Sequence, residues 1–191
     1  LEDGIPIRPT GLFNHNALYE VNLSGVDTIE VIKGAASSLY GSNAVGGGIN
    51  FFTHAADAKD NAYVGLQASN QQYGRLDFGA SVRGENHALR LGGYVANRGQ
   101  HNWQDYNTMD KSSLTIRHDV GLDDTTSLKN VFTYNRLYTD MPGSLNEKDY
   151  QNKRGVSYNT FTWRHVEALR VSSTLEKAWN AKAFSRVSAY A

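Results

Sequence analysis

From Ala62 onward, apolar residues recur at every second position. Ala62, Val64, Leu66 and Ala68 alternate with Tyr63, Gly65, Gln67 and Ser69. The same period runs through Leu76, Phe78, Ala80 and Val82, then through Leu89, Leu91, Gly93 and Val95, and then through Leu114, Ile116, Val120 and Leu122. His118 interrupts the last of these faces once. Side chains of a strand switch faces at every residue, so each run predicts a strand with one apolar and one polar face. Further runs at 127–138, at 158–177 and from Phe184 to the end bring the total to about seven strands. In the sixth, Leu169, Val171, Leu175 and Trp179 share one face over about eleven residues, the span of a tilted strand across a bilayer. His165 and Glu167 continue that face beyond the apolar zone.

The connections differ in length. "GENH", "LDDTT" and "AWNAKA" are short turns, whereas "GQHNWQDYNTMDK" and "TDMPGSLNEKDYQNKRG" are long loops; "NQQYG" is short and departs from the alternation. Short turns at one end and long loops at the other are the pattern of an outer-membrane barrel. A half-buried soluble sheet has the same period. The periodicity leaves both open.

Before Thr53 the pattern is mixed. "GIPI", "TIEVI" and "GINFF" predict short strands, and "AASSLY" a single helical turn ended by Gly41. The small, polar stretch "HAADAKDNA" from His54 predicts a linker. The expected division is therefore 1–53, a linker at 54–61, and strands over 62–191.

Composition removes several classes of chemistry. Lys plus Arg equals Asp plus Glu at 19 each, so no net field favours nucleic acid. There is no cysteine, which excludes disulfides, thiol catalysis and Cys-based zinc sites. The histidines show no H-E-x-x-H spacing and no G-x-S-x-G elbow is present, so an enzyme is not expected. Leu1 opens without a Met or a leader, and the alternating run "SRVSAYA" has no stop signal, so a piece of a longer protein is expected.

Five glycines fall between Gly34 and Gly48 in "GAASSLYGSNAVGGG". A P-loop needs lysine where Gly47 stands, and a dinucleotide fingerprint needs a helix where "GINFFT" predicts a strand. Close backbone packing is the better reading, because glycine permits positive φ and near approach. The full stretch "DTIEVIKGAASSLYGSNAVGGGINFFT" resembles the end of the plug domain of TonB-dependent outer-membrane receptors. Ile29, Glu30, Val31, Gly34, Leu39, Tyr40 and Gly41 match the family's pattern, followed by Ala44, Gly46, Gly47, Ile49, Asn50 and Thr53. "LEDGIPI" is similar to an earlier plug strand of that family. Lys33 and Ala35 stand where the family usually has arginine and proline.

The resemblance implies an all-β-dominated chain: the C-terminal part of a small mixed plug, then about seven antiparallel strands of a transmembrane barrel of roughly 22. It implies outer-membrane lipid as surroundings and a TonB complex acting through a box outside this chain. The ligand it implies is a small metal complex, most often a ferric siderophore, with cobalamin or haem as alternatives; a soluble binding or adhesion module is the rival of a different class. No resident cofactor or metal is implied. Counterparts of "RPTGLFNHNALYE" reach the ligand in siderophore receptors, which nominates Arg8, Phe13, Asn14, His15, Asn16 and Tyr19. His15 would be the axial ligand of a haem reading. Trp103, Tyr106 and Tyr150 in the long loops are candidate covers for a ligand. Gly34, Tyr40, Gly41, Gly46, Gly47 and Asn50 are expected to pack the plug on the barrel. Arg75, Asp77, Arg83, Arg90 and Arg117 are expected to face the lumen.

Overall fold

A computed structural model describes residues 1–7, 20–41, 44–100 and 103–191. After a 3-10 turn at Leu23–Gly25, β1 (Val26–Lys33) pairs antiparallel with β2 (Gly47–Thr53), with the single-turn α1 (Ser37–Tyr40) between them. Then come β3 (Asn61–Ala68), β4 (Tyr73–Arg83), β5 (His87–Arg98), β6 (Met109–Asp123) and β7 (Thr126–Asp140). A short helix α2 (Glu147–Asn152) precedes β8 (Trp163–Asn180) and β9 (Ala183–Tyr190). β3 to β9 form one seven-stranded antiparallel sheet in chain order.

The register follows from the period of two. Val64, Phe78, Gly93, Leu114, Tyr134 and Leu169 pair in one row across the sheet, and Ala62, Ala80, Leu91, Ile116, Phe132 and Val171 in the next. A slip of one residue would turn every one of these side chains to the opposite face. Among the described residues the apolar face meets no other element: Val64 is 72% and Leu66 81% exposed. The opposite face carries Ser81, Arg90, Thr115, Thr133 and Asn135, all buried beneath the N-terminal unit. The fold is thus an inside-out one, with its polar face covered and its apolar face open.

Three predicted elements differ in detail. "GIPI" is no strand: Asp3 and Gly4 both take positive φ (51° and 81°), which folds Glu2 back on Ile5 in an isolated bridge. β6 begins at Met109 rather than near Leu114, because its first turn of alternation is polar on both faces. Residues 158–162 belong to the loop before β8, where the Ser157 hydroxyl donates to the carbonyls of Pro142 and Asn159.

Candidate functional site

The site is the seam where the N-terminal unit meets the polar face of the sheet. Asn22 stands at its centre, 1% exposed, as the N-cap of the 3-10 turn. Its Nδ2 donates to the Gly92 carbonyl at 2.8 Å and to Thr115 Oγ1 at 3.0 Å, and its Oδ1 accepts from the Ser24 amide. Gly92 has to be glycine here: a Cβ would lie 2.9 Å from the Ser24 carbonyl oxygen. Gly25 is as constrained, with a Cβ falling 2.7 Å from that of Thr115. Two bare backbones therefore approach to contact, one from each unit.

Charged groups flank this contact. The Arg75 guanidinium donates to both oxygens of Asp77 and to Ser24 Oγ, while Ser24 Oγ donates to Asp77 at 3.0 Å. Arg117 Nη1 donates to the Thr53 carbonyl at 2.6 Å, and Lys129 pairs with Asp3 at 3.2 Å. Arg170 on β8 reaches two separate segments. Its Nε and Nη2 donate to Glu2 Oε2 at 3.2 and 3.1 Å, its Nη2 also donates to the Glu20 carbonyl at 3.0 Å, and its Nη1 lies 3.9 Å from the Glu20 carboxylate. Asn135 donates to the same Glu20 carbonyl.

The connecting segment is tied down as well. Arg90 Nη1 donates to Asp57 and to Ser81 Oγ, and Ser81 Oγ donates in turn to Asp57 at 2.9 Å. Hydrogen bonds from Asn61 and Ser81, with the Arg90 charge nearby, hold the Asp57 carboxyl below the usual aspartate range. Arg83 donates to the Ala56 and Asp57 carbonyls. The expected lumen-facing set, Arg75, Asp77, Arg83, Arg90 and Arg117, does face the N-terminal unit and its connection.

The glycine motif has a different role from that expected of it. Gly47 takes φ +144°, and a Cβ there would collide with the Ile32 carbonyl oxygen, so its close approach is between β1 and β2. Gly34 (φ +96°) and Gly41 (φ +89°) terminate β1 and α1 with open space around them, and Gly46 also has open space. Tyr40 closes α1 on the Ala36 carbonyl, and Asn50, 2% exposed, accepts from the Gly4 amide. Among the described residues Gly47 and Asn50 make contacts inside the plug unit, Gly34, Gly41 and Gly46 are exposed, and Gly25 with Gly92 makes the approach to the sheet. Sequence reasoning missed Asn22, Gly25, Asp57 and Arg170. An Asn two residues before a Ser-Gly turn was a legible signal for the first; the partners of the others lie too far away along the chain to be inferred.

Arg8, Phe13, Asn14, His15, Asn16 and Tyr19 lie outside the described residues. Trp103 is exposed, Tyr106 adopts a positive φ of 54°, and Tyr150 is exposed on α2 with the Arg154 guanidinium 5.1 Å from its ring centre. The loops carrying them are stitched together: the Asp105 amide donates to the Gly155 carbonyl at 2.7 Å. Among the described residues no group of His, Cys, Asp or Glu is arranged to hold a metal ion.

A two-faced meander with an open apolar face, clasping a small mixed unit by its polar face, defines the class of plugged outer-membrane-type barrels. The model of the TonB-dependent receptor plug domain matches residues 1–48. Through residues 1–48 the chain is similar to the TonB-dependent receptors. It is 26% identical over 178 residues to the vitamin B12 transporter BtuB of Vibrio cholerae, covering 84% of this chain and 29% of that protein. Among solved structures it superposes on the ferric citrate transporter FecA with a TM-score of 0.83 at 20% identity, covering 99% of this chain and 30% of the other. The siderophore receptor PiuA of Acinetobacter baumannii gives 0.74 at 19% identity, with 88% and 26% covered. The chain thus spans under a third of the length of these relatives.

Proposed function

We propose that the receptor to which this chain belongs lies in the outer membrane of a Gram-negative cell and imports a scarce, metal-bearing nutrient, a ferric chelate in the first place. The observation that carries this reading is the inversion of the sheet: its apolar rows are open while Arg75, Arg117 and Arg170 are engaged in holding the plug and Arg90 its tether. A soluble module would cover the apolar rows instead. Residues 1–53 act as the end of the plug, 54–61 as its tether and 62–191 as barrel wall. Ligand binds at the end carrying the long loops, against Arg8, Phe13, Asn14, His15, Asn16 and Tyr19 below and Trp103, Tyr106 and Tyr150 above. Binding shifts the plug, and TonB, acting through a box outside this chain, draws it from the seam; no covalent chemistry is involved. The likeness to a vitamin B12 transporter supports a corrinoid as the second reading.

Uptake tests it. Cells deleted for the gene and complemented with it are given iron-55 chelates or cobalt-57 vitamin B12, with and without TonB. Uptake that needs both the gene and TonB supports the reading, and the label identifies the cargo. Equal uptake with and without the gene, for every label, refutes it.

A further inference from the structure

The connection between the N-terminal unit and the sheet has almost no slack. The small, polar composition of 54–61 predicts a linker, and a free chain of that length would let the unit travel roughly 26–29 Å. The structure pins most of it. On the near side Val26 pairs with Thr53, the Thr53 amide donates to Asp3 Oδ1 at 3.0 Å, and the His54 amide donates to the Gly25 carbonyl at 2.9 Å. On the far side Ala56 is 6% exposed, and its carbonyl accepts from Arg83 Nη2 at 2.6 Å. Asp57 is a hub. Its carboxylate accepts from Arg90 Nη1, from Ser81 Oγ at 2.9 Å and from Asn61 Nδ2 at 2.8 Å. Its carbonyl accepts from Arg83 Nε at 3.1 Å, and its amide donates to Ser81 Oγ at 3.2 Å. Asp60 Oδ1 accepts from the Arg83 amide at 2.8 Å. Between the two sets of bonds lies a single residue, Ala55, which is exposed.

One residue offers two soft dihedrals and about 3.5 Å of reach, so it can turn the unit but cannot carry it away. The far-side bonds are set in rigid material: Ser81 and Arg90 are 1% and 7% exposed, on β4 and β5, and each of these strands is paired on both sides. The His54 ring spans the joint, with Nε2 3.9 Å from Asp27 and 4.0 Å from Asp57, both too long for a direct hydrogen bond. We infer that Ala55 is the pivot of the plug and that Asp57, held by Ser81, Arg83 and Arg90, is a mechanical stop: chain drawn from the N-terminal side comes free up to Ala55 and no further. Residues 56–60 stay with the wall. The inference rests on the reading above of 1–53 as a plug that TonB draws from the seam. Within that reading the stop serves re-entry. A plug held on one residue searches a far smaller volume for its seam than one on a free eight-residue tether.

The test pulls single full-length receptors, held in a bilayer, from the N-terminal end of the plug and reads the chain length freed when the plug releases. Two variant pairs weaken the stop from opposite sides: Asp57→Ala with Arg83→Gln, and Ser81→Ala with Arg83→Gln. Arg117→Gln, which removes the donor to the Thr53 carbonyl on the near side of the pivot, is the control. Heat-modifiable mobility on gels shows that each barrel is intact. Five residues, 56–60, precede β3, so both pairs should lengthen the release event by about 17 Å over the wild type. The control should release at lower force with its length unchanged. Equal lengths in the wild type and both pairs, or the same lengthening in the control, overturn the stop. The force readout needs no nutrient, so the two readings fail separately. A stop that holds in a receptor without TonB-dependent uptake of any label removes the import reading alone, and uptake with a release length that neither pair changes removes the stop alone.

Discussion

Replacing Arg170 by methionine tests the seam at its most loaded point. The side chain is 15% exposed, and the carboxylates of Glu2 and Glu20 are 12% and 5% exposed. Methionine keeps most of the aliphatic volume but removes hydrogen bonds at 3.2, 3.1 and 3.0 Å and takes the guanidinium charge away from the poorly hydrated carboxylates of Glu2 and Glu20. Breaking a fully buried pair from one side costs about 3–5 kcal/mol. The residual exposure on both sides lowers this to roughly 2–4 kcal/mol. Neutralising the acids as well should return much of the loss, so Arg170→Met with Glu2→Gln and Glu20→Gln is expected to be more stable than Arg170→Met alone. That non-additivity distinguishes a charge effect from lost packing. Amide exchange of residues 20–25 in the full-length receptor reads the local opening free energy, with the strands of β5 and β6 as internal reference. A change below about 0.5 kcal/mol for Arg170→Met, or a triple variant worse than the single one, would refute the clamp.

Three further outcomes follow from the same geometry. Gly92→Ala drives a Cβ to 2.9 Å from the Ser24 carbonyl, and should raise exchange at 22–25 while leaving β1 and β2 protected. Gly47→Ala combines φ +144° with a collision against the Ile32 carbonyl oxygen, and should cost upward of about 1–3 kcal/mol within the plug, read as lost protection of β1 and β2 with the sheet unaffected. The Asp57 carboxyl lies below its ordinary 3.8 in the folded state, so the stability it contributes is complete above that value and is lost as the pH falls through the lower, folded-state value. Exchange protection of 55–61 should therefore drop below about pH 4, and Asp57→Asn should remove that acid step.

The strands were legible because their period is local: β3 to β9 fall close to the runs read from the chain, and alternation put the arginines on the polar face while the family resemblance pointed that face inward. The strand ends were not, because alternation fades where neither face is apolar, as in the first residues of β6. The interruption at His118 has a structural counterpart: it pairs with Asn130, which pairs with Ser173, so the polar break continues across β6, β7 and β8. The seam was the least legible region. Arg170 and Glu2 are 168 positions apart, and nothing near either residue announces the other. The glycine motif showed that bare backbone was needed but not which backbone it would meet. Its family pattern invited placement against the barrel, and the geometry puts Gly25 and Gly92 there.

The composition of the seam bears on how a plug can be both held and released. An apolar interface of this extent would be non-directional and hard to open, since each buried methylene adds about 0.8 kcal/mol. A polar interface behaves differently: each hydrogen bond exchanges for one to water, for a net of about 0.5–1.5 kcal/mol. Asn22, Ser24, Thr53 and Glu20 each hold the sheet through such contacts, on separate strands. Pulled from one end, these contacts can break in succession, each admitting water to the groups it exposes. The largest single step in such a sequence is Arg170, because it alone grips both Glu2 and Glu20, which bracket residues 3–19. A force that reached this clamp first would meet the seam's strongest point, so release starting from the Asn22 contact and ending at Arg170 is the path of lower resistance. Single-molecule extraction of the plug should then show small early steps, with Arg170→Met shortening only the last; a uniform lowering of every step would contradict that order.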